Sequence, residues 1–538
     1  MIREHDTLEP VGRWNWLPLA PPVAVGFWLA AQFALWAWTA THFPYELDYG
    51  EGPILAQLHA AEAGHGIYES WHEPPHTITN YPPVFRAATR FAAWFTGDYL
   101  SAGRWVSVLA LFASAALAAW TVGAHALDLR RREAPSGDDY LVALAFALTA
   151  GCAVLAPTYA FLWGVLLRVD TLAIACSLAA VVVSARAFER SWGPYAVGVL
   201  LIAALFTKQS MLAAPAACVA AACLKNPGRG LRFTAGFVGT GLLLLVLATL
   251  FTNGGFWNHL VTANRNHYSW PQTCHMLASL MEEHGRLVLL GALGGLWQFT
   301  AWMQTPRAER PHARLLWTLY GLGAFASSLL IGKAGAFINY QLEFLCVCGV
   351  LTGLLLADLL AAAPPLKGLR SKSLLPVLGA CGAILLLTVQ FVRFDHLKLL
   401  ADMEHALSRR LEEQDPIVLK ALRDAPGAVL SEDTTLVVLA GKELRFQPFE
   451  MTQLAEQGLW IQGPFLEELR NRRFDRIVLK FDLSGDPSWH RQRFSDAMLD
   501  AMREHYELEA QHGALRVYRP KQAEAGGGLP LTSPAPAR

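Results

Sequence analysis

Charge is what this chain has least of. Charged residues occupy 16% of its 538 positions and hydrophobic ones 53%, where a soluble domain carries about 25% charged residues. That shortage excludes an ordinary soluble enzyme and places the chain among membrane proteins. Net charge is lacking too: Lys plus Arg and Asp plus Glu stand at 44 each, so there is no basic surplus to hold a nucleic acid. The eight cysteines fall almost entirely inside apolar runs, and none has the spacing of a metal site or redox pair. A disulfide framework is therefore not expected. No A-x-A-like cleavage pattern follows the first apolar run, and the residues before it mix Glu4, Asp6 and Glu9 with Arg3 and Arg13. It reads as a retained span, with no signal peptide. Nor is there a nucleotide loop, since GALGGLWQ (291–298) offers only small residues for close helix packing.

Long apolar runs are what the chain has in abundance. A hydrocarbon core about 30 Å thick needs roughly 20 apolar residues per helix. Runs that meet or approach this lie near 21–41, 101–122, 139–158, 171–187, 195–207, 211–224, 233–252, 287–303, 315–331, 341–361 and 374–392. The 195–207 and 211–224 runs are short, either two tilted spans or a re-entrant pair, and are taken as spans. Lys and Arg mark cytoplasmic loops. With the N-terminus (1–20) inside, the loops at 127–133, 189–194, 225–232, 305–314 and 364–372 are cytoplasmic, and each carries basic residues. The alternate loops are poor in Lys and Arg and rich in Trp, Tyr, His, Asn and acids, and the alternation leaves the C-terminal segment outside.

The expected fold is thus an α-helical polytopic membrane protein of about eleven transmembrane helices over 21–393. Its first external loop, 42–100, holds two pieces at helical spacing: Ile54, Leu55, Leu58 and Ala61 after Pro53, and Val84, Phe85, Ala88, Phe91, Ala92 and Phe95 after Pro82-Pro83. Both read as helices lying in the interface. Residues 394–520 have soluble composition: GAVLSED and TLVVLAGK read as strands, PFLEELRNRRF as helix, RIVLKFD as strand, and YELEAQHGALRVYRP as a hairpin. This is a small α/β domain. The Gly-, Pro-, Ala- and Ser-rich tail, 521–538, should be disordered.

The stretch with the most chemistry is FPYELDYGEG (43–52), where Glu46, Asp48 and Glu51 stand among aromatics and glycines just after the first span. A carboxylate there can take a proton from a hydroxyl, and Asp48 leads. Glu51 is a second acid, a support for a bound sugar, or the polar first turn of the helix that Pro53 opens. Arg168 and Asp170 form an R-V-D turn whose plain reading is a local ion pair. Lys208, beside Gln209 between two short apolar runs, is a costly cation that calls for an anionic partner. Lys333 sits in a Gly-flanked turn ahead of Asn339, Tyr340 and Glu343, the last an acid inside an apolar run. Arg265 and His267 belong to a Trp-, His- and Asn-rich external loop (253–286) suited to stacking on and hydrogen bonding sugars. His72 and His76 have metal-ligand spacing, but Pro74 and Pro75 between them forbid the helix it requires. A divalent cation at Asp48 and Glu51 is left open; no dedicated metal site is read.

These elements in this order resemble the GT-C superfamily of integral-membrane glycosyltransferases, near the family 39-like enzymes that include protein O-mannosyltransferases, lipid A aminoarabinose transferases and RgtA/B/C/D-like sugar transferases. The matching features are LDYGEG, the interfacial helices, NYPPVF (80–85), Arg168 and Asp170, Lys208-Gln209, NYQLE (339–343) and a soluble domain after the last span. The resemblance implies inverting transfer of a sugar from a polyprenyl-phosphate donor to a glycan, lipid or protein acceptor, at the outer face of a bacterial inner membrane. It implies Asp48 as base, with Glu51 beside it. Cations Lys208, Lys333, Arg265 and Arg168 would hold the donor phosphate, and Tyr49, Tyr81, Asp170, Gln209, His267, Asn339, Tyr340 and Glu343 would line the substrate. The loop lacks the adjacent acid pair of the O-mannosyltransferases, so Glu51 does not inherit their second-acid role. The rival readings are a flippase for lipid-linked sugars, which should show similar internal halves, and an inactive assembly protein of the same fold. No internal repeat is visible.

Overall fold

The computed structural model describes residues 17–129, 137–307, 309–362, 374–393, 396–485 and 490–522. Residues 1–16 of the expected N-terminal tail, most of the C-terminal tail, part of the loop at 127–133 and all of the loop at 364–372 lie outside these residues. The chain forms two compact units, one of residues up to 69 together with 79–404, the other of 70–78 together with 405 onward.

The first unit is a helical bundle. Helix α1 (Ala20–His42) opens with prolines in its first turn, where a missing N–H costs nothing. The first loop follows, with α2 (Glu51–Glu62) and α3 (Val84–Thr96). Then come α4 (Tyr99–Leu129), α5 (Gly137–Leu155), the short α6 (Thr158–Trp163) after Pro157, α7 (Asp170–Ala187), α8 (Gly193–Thr207), α9 (Ala213–Lys225), α10 (Pro227–Phe251) and a single turn, α11 (Gly255–Trp257). The unit closes with α12 (Trp270–Gln304), α13 (His312–Ser328), α14 (Asn339–Ala362) and α15 (Leu374–Arg393).

Among the described residues seven helices are long and apolar enough to cross a membrane; α8, α9 and the core of α15 are shorter apolar helices. The remaining expected run, 287–303, lies in α12. That helix has 35 residues and starts at Trp270, so half of the expected 253–286 loop is helix. Ser269 caps it by accepting the Gln272 N–H at 3.3 Å, and Pro271 sits in its first turn, both strong start signals.

Ion pairs settle the geometry of α8 and α9. Lys208, just past α8, binds Asp170 at the start of α7. Lys225 at the end of α9 and Arg229 on α10 bind Glu189, just past α7. Each short helix therefore runs the whole way between the two ends of α7, and neither turns back midway. The Glu189 end also gathers Arg186 with Asp128, and Arg314 and His125 with Asp358. The described ends of the basic loops thus share one end of the bundle, while the starts of α7 and α14 share the other.

Lipid is as apolar as leucine, so helices here associate through close fit more than through exclusion of water. Gly291 and Gly294 of α12 leave no room for a Cβ against Cys348 and Leu351 of α14, and Gly353 of α14 packs on Val122 of α4. Helix α10 stands apart, with only 6% of its apolar window buried. In the first loop the leading half of α2 is buried, whereas α3 buries Phe85 and Thr89 and exposes Phe91, Trp94 and Phe95, an apolar face available to lipid.

The second unit contains α16 (His396–Arg409) from His405 on, α17 (Asp415–Asp424), β1 (Ala428–Ser431), α18 (Thr434–Leu439), α19 (Pro448–Glu456), α20 (Gly463–Arg470), β2 (Phe474–Leu479), α21 (Asp496–His505), β3 (Tyr506–His512) and β4 (Leu515–Pro520). The sheet order is β1-β2-β4-β3, with β1 and β2 parallel and the rest antiparallel. TLVVLAGK is helix α18 in place of the expected strand. Asp433 caps it by accepting the Leu436 N–H at 3.2 Å, and a capped, largely buried run needs no alternation. An excursion of the first loop joins this unit: the His76 N–H donates to the Arg445 carbonyl at 2.8 Å and its carbonyl accepts the Gln447 N–H at 3.0 Å. His76 is thus buried against Trp460 and Phe465 and is no metal ligand with His72.

Candidate active site

The site rests on a buried ion pair. Glu51, the first residue of α2, and Arg104, one turn into α4, both have fully buried side chains. Arg104 donates to the two Glu51 oxygens at 2.9 and 2.7 Å and to the carbonyls of Ala40, Phe43 and Tyr45 at 2.9, 2.5 and 2.6 Å. Glu51 also accepts the N–H groups of Leu47 and Leu167, each at 2.7 Å. One pair thereby fixes the end of α1, the loop behind it, the start of α2 and the approach to α7. Burial pushes the Glu51 carboxyl up, but Arg104 and the backbone donors outweigh it, and the net shift is downward. With every oxygen committed, Glu51 is a support. Two donors on each of its oxygens leave it unfit for a cation shared with Asp48.

Asp48 differs on each count. Its side chain is 28% exposed, with Arg168 Nη1 3.6 Å from Oδ2. That oxygen also accepts the Gly50 N–H at 2.7 Å, and Oδ1 has no hydrogen-bond partner among the described residues. Burial raises its pKa; Arg168 and the Gly50 N–H oppose the rise without cancelling it. A Cβ on Gly50 would collide with the Arg168 guanidinium, so glycine is required for the two to stand together. Arg168 is held in turn over the rings of Trp163 and Tyr81, 5.2 and 5.9 Å from their centroids.

Behind Arg168 the start of α7 carries a second ion pair. Asp170 Oδ1 accepts Lys208 Nζ at 2.6 Å and Asn339 Nδ2 at 2.9 Å, and Oδ2 accepts Trp163 Nε1 at 2.8 Å. Lys208 lies 4.3 Å from the Tyr340 ring centroid. Tyr81 ties the two clusters together. Its hydroxyl is pushed up by burial and feels the charges of Arg168, Asp170 and Lys208. Gln209 reaches the Asn80 carbonyl at 2.9 Å, which anchors the residue before Tyr81.

Lys333 is the cation left over. It is half-buried, and its ammonium has no hydrogen-bond or ion-pair partner among the described residues. Burial first, and the Lys208 charge second, lower its pKa. A partly buried cation that feels a second cation, with no carboxylate paired to it among the described residues, is a setting that an anion would relieve. The turn is held by the 264–273 segment: the Ala334 N–H donates to the His267 carbonyl at 2.8 Å, the Ser269 N–H to Gly332 at 2.7 Å, and Asn266 Nδ2 to Ala334 at 2.9 Å.

The residues singled out from sequence separate into two groups. Asp48, Tyr81, Arg168, Asp170, Lys208, Gln209, Lys333, Asn339 and Tyr340 are linked in one cluster, with Tyr49 half-buried next to Asp48 in the chain. Glu343 is buried below it, accepting the Tyr320 hydroxyl at 2.9 Å. Arg265 and His267 are exposed, and His267 meets the Lys333 turn through its backbone carbonyl. His259 is spent on structure: its ring accepts the Thr79 N–H at 2.9 Å and donates to the Glu69 carbonyl at 2.6 Å, clasping the two ends of the 70–78 excursion. Arg104 and Trp163 were not foreseen. Arg104 had a readable signal as the lone charge in the 101–122 apolar run; Trp163 had none.

No protein-family model matches the sequence, and no curated protein matches it. Among solved structures, the crystal structure of ArnT from Cupriavidus metallidurans bound to undecaprenyl phosphate is similar, with TM-score 0.54 and 12% identity over 91% of this chain and 97% of that one. Its apo state gives the same figures. The archaeal oligosaccharyltransferase AglB from Archaeoglobus fulgidus, in complex with an inhibitory peptide and a dolichol-phosphate, aligns with TM-score 0.49 and 11% identity over 94% of this chain and 75% of that one. At 12% identity the ArnT likeness carries architecture alone. On that evidence the chain shares the fold of ArnT, and seven of its described helices are long and apolar enough to cross a membrane.

Proposed function

We propose that this protein moves a sugar, with inversion, from a polyprenyl-phosphate donor to an acceptor hydroxyl on a glycan, lipid or protein. In this reading it works at the outer face of a bacterial inner membrane, with residues 394–520 periplasmic. The observation that carries it is the open Asp48 carboxylate in one cluster with Arg168, Lys208 and an unpartnered Lys333. In the reaction the acceptor oxygen attacks the anomeric carbon, its proton passes to Asp48, and the bond from that carbon to the phosphate oxygen breaks. The electron pair leaves on the phosphate, where Lys333 and Arg168 meet the growing charge. Lys208 is already neutralised by Asp170, so its part is to position Tyr340 and the turn. Arg265 and His267 stand at the rim, available to a headgroup on entry. The lipid seen in ArnT, undecaprenyl phosphate, is of the class this arrangement suits.

Incubation of the purified protein in nanodiscs with a panel of radiolabelled polyprenyl-phosphate sugars and acceptor hydroxyls tests the reading; label must leave the lipid fraction. Lys333→Ala should raise the KM for donor about 10-fold or more, a charged hydrogen bond being worth about 1.5–3 kcal/mol, with KM for acceptor unchanged. Activity needs Asp48 ionised, so it rises with pH through the Asp48 pKa. Because that pKa is raised, the acidic limb of kcat/KM should lie above the ordinary aspartate value of about 3.9. Arg168→Gln removes an opposing charge and should move the limb higher still. A limb that stays in place in the variant argues against Asp48 as the titrating group.

A further inference from the structure

Beneath Lys208 lies a small cavity of about 10 Å³, lined by Asp170, Lys208, Ser210, Ser327, Tyr340 and Glu343. That is room for one water-sized group. Its polar lining is unevenly used. Both Asp170 oxygens have donors. Glu343 gives Oε1 to the Tyr320 hydroxyl, while its Oε2 has no hydrogen-bond partner among the described residues, and the Ser210 and Ser327 hydroxyls likewise make no hydrogen bond there.

We infer that this cavity is a subsite for a single ring hydroxyl of the donor sugar, with Glu343 as its acceptor. The inference rests on the transfer reading above and extends it to substrate selection. An occupant must be one heavy atom across, which excludes acetamido, carboxylate and phosphate substituents. A hydroxyl satisfies both sides, donating to Glu343 Oε2 and accepting from a serine. The cavity shares Asp170, Lys208, Asn339 and Tyr340 with the cluster described above, which places it beside the proposed donor site. A site built to bond a hydroxyl rejects the analogue that lacks it, because its own buried groups are left unpaired.

The test uses the fastest donor found in the transfer panel and the set of its monodeoxy analogues. With wild-type protein, removal of one ring hydroxyl, and only one, should lower kcat/KM about 100-fold. Glu343→Met removes the acceptor at similar volume and should transfer the parent and that deoxy donor within about threefold of each other; Glu343→Gln, which retains an acceptor oxygen, should keep part of the discrimination. The inference is overturned if wild-type protein treats all deoxy donors alike. It is equally overturned if both variants slow the parent and every deoxy donor by one common factor, which would make Glu343 a positioning residue for the Lys208 turn. Absence of transfer by wild-type protein from every donor overturns the transfer reading, and this subsite with it.

Discussion

Asp48→Asn should abolish sugar transfer while the protein remains folded and inserted. The substitution keeps size and the Gly50 contact but removes the proton acceptor, and a general base contributes about 10²- to 10⁴-fold. A larger loss would add the electrostatic share, since Arg168, 3.6 Å away, would be left without its counter-charge. The measurement is single-turnover transfer at saturating donor, compared with wild type, beside a melting curve for the same sample. Near wild-type turnover would remove Asp48 from the mechanism. The neighbouring acid offers no substitute, because Glu51 has no oxygen free.

Arg104→Ala should be the most destabilising change in the first unit, and Glu51→Ala nearly as costly. Breaking a buried ion pair from one side costs about 3–5 kcal/mol, because it strands the other charge. Loss of Arg104 also leaves the carbonyls of Ala40, Phe43 and Tyr45 without their donor. Thermal unfolding in detergent and the yield of monodisperse protein should both fall sharply. A Glu51→Gln/Arg104→Met double variant should lie well above the sum of the two single losses, since neither charge is then stranded. The Glu51 carboxyl sits below its ordinary value of about 4.3. Its stabilisation is therefore complete above that pH and is lost only as pH falls through the lowered value. Stability of either single variant equal to wild type would mean the pair does not organise the first loop.

The contrast between these two acids marks the limit of what the sequence discloses. Proximity to the end of α1 made 43–52 the obvious place for chemistry, and the length of apolar runs located almost every long helix of the bundle. What separates Asp48 from Glu51 is a partner 53 residues further on, and no local pattern encodes that distance. The need for an anion at Lys208 was legible from the cost of a cation between apolar runs, and Asp170 was visible as an acid. Their pairing across 38 residues follows only once α7 and α8 lie antiparallel. TLVVLAGK shows the opposite failure, a β-branched run that propensity assigns to a strand and the Asp433 cap turns into helix. The excursion at 70–78 was unreadable for a simpler reason: its partners, Arg445 and Gln447, lie far beyond the last span.

The central claim is that a covalent bond to the sugar is broken and remade here, with Asp48 taking the proton. Mass spectrometry of lipid and acceptor after incubation with a polyprenyl-phosphate sugar labelled in the sugar ring reads this directly. The account predicts free polyprenyl phosphate and sugar-bearing acceptor in equal amounts with wild-type protein, the product inverted at the anomeric carbon, and neither with Asp48→Asn. Labelled lipid that crosses the bilayer with its sugar still attached, or equal product from Asp48→Asn, would contradict it.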